Sequence, residues 1–135
     1  MEIIKNPDES QIGIYKAARV IYAETYPATL PAVEALTSMI QNIMIRCNRD
    51  LSDVVSDENI FSALDKKSLR HEYINVDVKN NRAFQMCLRV VSRMMHGGLV
   101  DSCFGATRFH HADEIPSWAT SRGYIADVDG LLFYI

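Results

Sequence analysis

Glu24 closes the run Ala17-Ala18-Arg19-Val20-Ile21-Tyr22-Ala23-Glu24-Thr25, and it is the residue of this chain best suited to acid chemistry. Apolar or small residues at 14, 15, 18, 21 and 22 define one face of a helix, and Glu24 falls close to that face at the helix exit. A carboxyl group partly withdrawn from water keeps its proton to higher pH, because burial disfavours the charged form. That is the property a general acid needs near neutrality. Spacing alone favours a plainer reading, a solvated glutamate at a fraying helix end; the rest of the chain shifts the balance.

His110, His111, Asp113 and Glu114 form the densest cluster of metal-ligating residue types. Their spacing matches no zinc motif, having neither His-Glu-x-x-His nor a Cys pair. On a strand, His110 and His111 face opposite sides, so one at most points into a given site. The pattern favours a histidine that is hydrogen-bonded in the structure or touches substrate over one that holds a metal, and no cofactor is expected. Cys103 lies near these histidines in sequence and invites a Cys-His nucleophile, but nothing local lowers its pKa. Trp118, after Pro116, is the only tryptophan and can cover the core or stack on a flat sugar face. Gly97-Gly98 lacks the Gly-Lys-Ser/Thr ending of a phosphate loop and reads as a helix stop.

The elements that must position these groups are legible in outline. Asp8 or Ser10 caps a first helix running to about Glu24. Tyr26-Pro27-Ala28-Thr29-Leu30-Pro31 breaks it, and Pro31 suits the first turn of a second helix. Val33, Leu36, Ile40, Ile43, Met44 and Cys47 give that helix a broad apolar face to about residue 48. A short helical turn follows at 51–55, then a long polar, irregular region from 57 to 78 anchored by Phe61 and Leu64. A third helix spans about 79–96, with Met94 and Met95 as core filler and Cys47 and Cys87 as buried free thiols. Residues 105–111 and 131–135 read as short strands separated by a turn-rich stretch. The expected class is α+β, a helical body with a small C-terminal β element in one domain over residues 1–135.

Composition narrows the function. With 135 residues, 48% of them apolar, the chain can bury one sizeable core. A net charge of −3 argues against a nucleic-acid-binding stripe, and the apolar runs are too short to span a membrane. The N-terminus shows no signal-peptide pattern. The expectation is a chain that is cytoplasmic as made, or one that leaves by a route its own N-terminus does not reveal.

Several landmarks, taken in order, resemble the SleB-type cell-wall hydrolase family. Ala18-Arg19-Val20-Ile21-Tyr22-Ala23-Glu24 is similar to the family helix ending in Tyr-x-Glu, and Asn42 falls where the family closes its second helix with Asn. Phe61-Ser62 resembles its Phe-Ser element, Gly105-Ala106-Thr107-Arg108-Phe109-His110 with Pro116-Ser117-Trp118 resembles its C-terminal signature, and Phe133-Tyr134 its terminal Phe-Tyr. Thr25-Tyr26-Pro27-Ala28 departs from the family's Ala-Arg-Gly-Glu, and Leu131 replaces a histidine.

The resemblance implies a lysozyme-like fold and cleavage of the β-1,4 bond between N-acetylmuramic acid and N-acetylglucosamine in peptidoglycan. It makes Glu24 the catalytic acid. Tyr22, Tyr26 and Trp118 would form apolar walls or sugar platforms; Ser62, Thr107, His110 and Tyr134 would hydrogen-bond acetamido and hydroxyl groups. No second acid stands at a helical spacing opposite Glu24, since Glu34 lies on the polar side of its helix and Asp101, Asp113 and Glu114 lie in loops. A single-acid lytic transglycosylase therefore fits better than a two-carboxylate glycosidase. The alternatives are a non-catalytic glycan-binding module on the same fold and a metal-dependent hydrolase using His110 and His111. Export by a phage-type or effector route, with an immunity partner, belongs with the first reading.

Overall fold

The computed structural model describes residues 9–119 and 122–135. Helix α1 (Glu9–Thr25) begins inside the expected segment, so Ser10 lies within the helix, and Asp8, the other expected cap, lies outside the described residues. Ile14, Ala17, Ala18 and Ile21 are buried at three- and four-residue intervals, and continuing that series by one more turn places Glu24 on the same inward face. Tyr15, expected on that face, is exposed instead. The Thr25 hydroxyl folds back to the carbonyl of Ile21 (2.7 Å), and the helix stops before Pro27.

Helix α2 (Leu30–Cys47) starts as its chemistry dictates, with the Thr29 hydroxyl accepting the N–H of Ala32 and Pro31 in the first turn. Asn48 ends it in the left-handed conformation at φ 52°. Asn81 caps α4 (Arg82–Met95) by accepting the Phe84 N–H at 3.0 Å, which starts this helix three residues later than the periodicity predicts. Phe84, Cys87, Val90, Val91 and Met94 form its buried face. Gly97, at φ +79°, lets the chain turn so that Gly98 N–H reaches the Arg93 carbonyl (2.8 Å). No helix among the described residues is long and apolar enough to cross a membrane.

The region from 57 to 78, expected to be irregular, follows the short helix α3 (Leu51–Val54) and contains two 3-10 helices, Ser62–Leu64 and His71–Asn75. Local turns satisfy the carbonyls of Asp57, Phe61, Ser62, Asp65, Ser68 and Arg70, and side-chain bonds tie the region to α1. Arg19 donates to the carbonyls of Ile74 and Val76, while Arg70 donates to those of Ala23 and Tyr26. Two arginines thus clamp the loop across the end of α1, where Glu24 sits.

Three antiparallel strands, β1 (Arg108–His111), β2 (Tyr124–Val128) and β3 (Leu131–Tyr134), form a sheet in the order β1-β3-β2. The class is α+β, with β2 falling in the stretch read from sequence as turns. The missed signal is Asp129-Gly130, a two-residue hairpin connection with φ 48° and 88°, the left-handed pair of a type I′ turn. Phe109 pairs with Phe133 in register and packs against Phe61 (5.9 Å between ring centroids), joining the sheet to the helical core.

Two expectations about soft side chains need correction. Cys47 is exposed at the last turn of α2, and Met95 is exposed beside the buried Met94, because each sits where its helix has passed the core. Cys87 and Cys103 are buried, and burial pushes both thiols up to about 12. In native protein at about pH 8 a maleimide should therefore label Cys47 alone, with Cys87 and Cys103 reacting only after denaturation. Mass spectrometry of the labelled chain reads this directly; rapid native labelling at Cys103 would contradict its burial.

Candidate active site

Glu24 is completely buried, and it is held at both oxygens. The backbone N–H of Ala63, in the first 3-10 helix, donates to Oε2 at 2.9 Å. His111 Nε2, from the last residue of β1, lies 2.7 Å from Oε1. Because Oε2 accepts an N–H, a proton shared between the two side chains sits between Oε1 and Nε2. His71 Nδ1 bonds the Ala63 carbonyl at 2.9 Å, so the peptide that holds Glu24 is itself braced from the second 3-10 helix.

His111, which sequence reasoning weighed only beside His110 as a metal ligand, is the partner of Glu24. Its signal was strand alternation: Phe109 and His111 share a face, and Phe109 faces the core, so His111 must as well. His110 therefore turns to the opposite side of the sheet. There its Nδ1 donates to the His111 carbonyl (2.7 Å), which leaves Nε2 to accept the Tyr134 hydroxyl (2.9 Å). Trp118 packs edge-on against both rings, with the Arg108 guanidinium 4.9 Å from the indole centroid. Among the described residues no three His, Cys, Asp or Glu side chains converge as a metal donor set. His110 and His111 face opposite sides of the sheet and are each hydrogen-bonded to other groups.

Two adjoining concavities share Ser62 and Glu114. The smaller, about 340 Å³, is lined by His111, His110, Phe109 and Trp118. The larger, about 710 Å³, is lined by Tyr26, Tyr73, Arg70 and Asp113. Tyr26 stacks face to face on Tyr73 at 3.9 Å between centroids, making a flat aromatic wall. Ser62 is exposed where the two cavities meet. Of the loop acids, Asp113 and Glu114 reach the cavity rims, whereas Glu34 pairs with Arg93 at 3.1 Å.

The remaining expected site residues are placed differently. Tyr22 is buried, packed edge-on against Phe84, and its hydroxyl accepts from Asn81 at 3.3 Å. Thr107 is half-buried and pairs its backbone N–H with the Tyr134 carbonyl. Asn42 acts on the loop before β1: its amide donates to the Ala106 carbonyl (3.0 Å) and to Asp101 Oδ2 (3.3 Å).

Asp101 gathers that loop. Its two oxygens also accept the backbone N–H groups of Cys103 (2.9 Å) and Gly105 (2.8 Å). Burial pushes its carboxyl up, but these bonds, with the Cys103 thiol and the Asn42 amide, outweigh that and hold it below the ordinary carboxylate value. A depressed folded value means stability that is present above the unfolded carboxylate range and lost as pH falls through the folded one. Asp101→Ala should cost about 1–3 kcal/mol at neutral pH and flatten the acid limb of stability below about pH 4. Urea denaturation of both proteins across that range tests it; parallel pH profiles would show that the carboxylate contributes nothing.

Comparison with protein-family models, curated proteins and solved structures finds no match to this chain.

Proposed function

We propose that this chain cleaves peptidoglycan glycan strands between N-acetylmuramic acid and N-acetylglucosamine, as a lytic transglycosylase on a lysozyme-like fold. The observation that carries the proposal is Glu24, a buried carboxyl oriented at both oxygens, with its histidine partner in the wall of a cavity. Glu24 is the source of the proton that reaches the glycosidic oxygen as the sugar gains oxocarbenium character. Glu24 then recovers a proton as the muramic 6-hydroxyl loses its own and O6 bonds C1, leaving a 1,6-anhydro end. Tyr26 on Tyr73 and the edge of Trp118 suit the apolar faces of sugar rings, and Ser62 suits an acetamido group. The chain would act at the cell wall, after export or release.

A second reading is a glycan-binding module without turnover. The full burial of Glu24 favours it, because a carboxyl with no exposed surface meets no substrate directly.

Digestion of purified peptidoglycan, with the released fragments weighed by mass spectrometry, separates these readings. Fragments one water lighter than hydrolysed muropeptides are expected. Hydrated ends would assign a muramidase, with Asp113 or Glu114 as the second carboxylate to test. Glycan binding with no fragment released would assign the binding module.

A further inference from the structure

We propose that His111 relays the proton between Glu24 and the substrate, and that its imidazole is the catalytic group touching the glycosidic oxygen. The inference rests on the glycan-cleavage reading and resolves the access problem that reading raises. Glu24 is completely buried, behind the Ala63 peptide and the His111 ring. His111 is the side chain that both bonds Glu24 and lines the cavity. Nε2 is committed to Glu24, which leaves Nδ1 as the ring nitrogen that can face a substrate.

The proton count closes. In the first step the Oε1 proton of Glu24 passes to Nε2 while the Nδ1 proton passes to the glycosidic oxygen, and the C1–O bond breaks. The imidazole ends neutral in its other tautomer, and Glu24 ends as a carboxylate. In the second step O6 of the muramic residue bonds C1 and gives its proton to Nδ1, while Nε2 returns its proton to Oε1. Donor and relay regain their starting states, and no water is consumed. Ser62 and Trp118 line the same cavity and suit the sugars beside the broken bond.

His111→Gln tests the relay, because the glutamine amide preserves a hydrogen bond to Glu24 Oε1 but transfers no proton. A folded His111→Gln protein should lose about 10²–10⁴-fold in cleavage rate. His111→Ala with added imidazole should recover part of that loss, and His111→Ala/Glu24→Gln should not. In wild type, the His111 Nδ1 nitrogen resonance should shift on saturation with a soluble N-acetylglucosamine–N-acetylmuramic acid tetrasaccharide. Wild-type cleavage with near-normal His111→Gln activity, or a His111 resonance that the tetrasaccharide leaves unmoved, overturns the relay alone. A wild type that releases no fragments overturns glycan cleavage and the relay with it.

Discussion

Glu24→Gln should fold normally and lose about 10²–10⁴-fold or more of its cleavage activity, the contribution of a positioned general acid. The substitution is nearly isosteric and the site can satisfy it. The amide oxygen accepts the Ala63 N–H, and the amide nitrogen donates to His111 Nε2. What disappears is the transferable proton. Circular dichroism and thermal unfolding check the fold, and release of muropeptides from purified wall material reads the activity. A folded Glu24→Gln protein that cleaves at the wild-type rate would remove Glu24 from the mechanism.

His111→Leu should be the most destabilising single change at the site, by about 3–5 kcal/mol, because it leaves a buried carboxyl facing an apolar side chain. Against a total of roughly 5–15 kcal/mol for a domain, that is a large share. The pair is buried on both sides, with 6% of the His111 side chain and none of the Glu24 side chain exposed. The cost therefore comes from stranding Glu24 more than from losing an attraction. Glu24→Met/His111→Leu, which replaces both partners with apolar groups, should recover most of the loss. Urea midpoints of the two single variants and the double variant close the cycle. An additive double variant would mean that the two groups do not share their burial cost.

Much of this was readable before any coordinates. The inward face of α1 follows from Ile14, Ala18 and Ile21, and the same period brings Glu24 close to that face. Its full burial goes beyond the solvated helix end that spacing alone favours. The start of α2 follows from Thr29 and Pro31, and the end of α4 from Gly97-Gly98. What escaped was long-range pairing. Ala63 and His111 are 39 and 87 residues from Glu24, and no local periodicity connects them. Of the two adjacent histidines, sequence reasoning assigned substrate contact to His110, although alternation from Phe109 turns His111 toward the core. β2 was lost because Tyr124–Val128 alternates weakly, with no residue fully buried, so only its Asp129-Gly130 turn announced it.

The bond between Glu24 and His111 also has a meaning in time. Glu24 leaves the ribosome 87 residues before its partner, an interval of roughly 4–17 s at about 5–20 residues per second. Through that interval α1 can begin to pack, yet its last inward side chain lacks the histidine that closes over it. Docking of the sheet buries the carboxyl and brings His111 to it in one event. In the proposed mechanism the acid is therefore assembled only when the sheet docks.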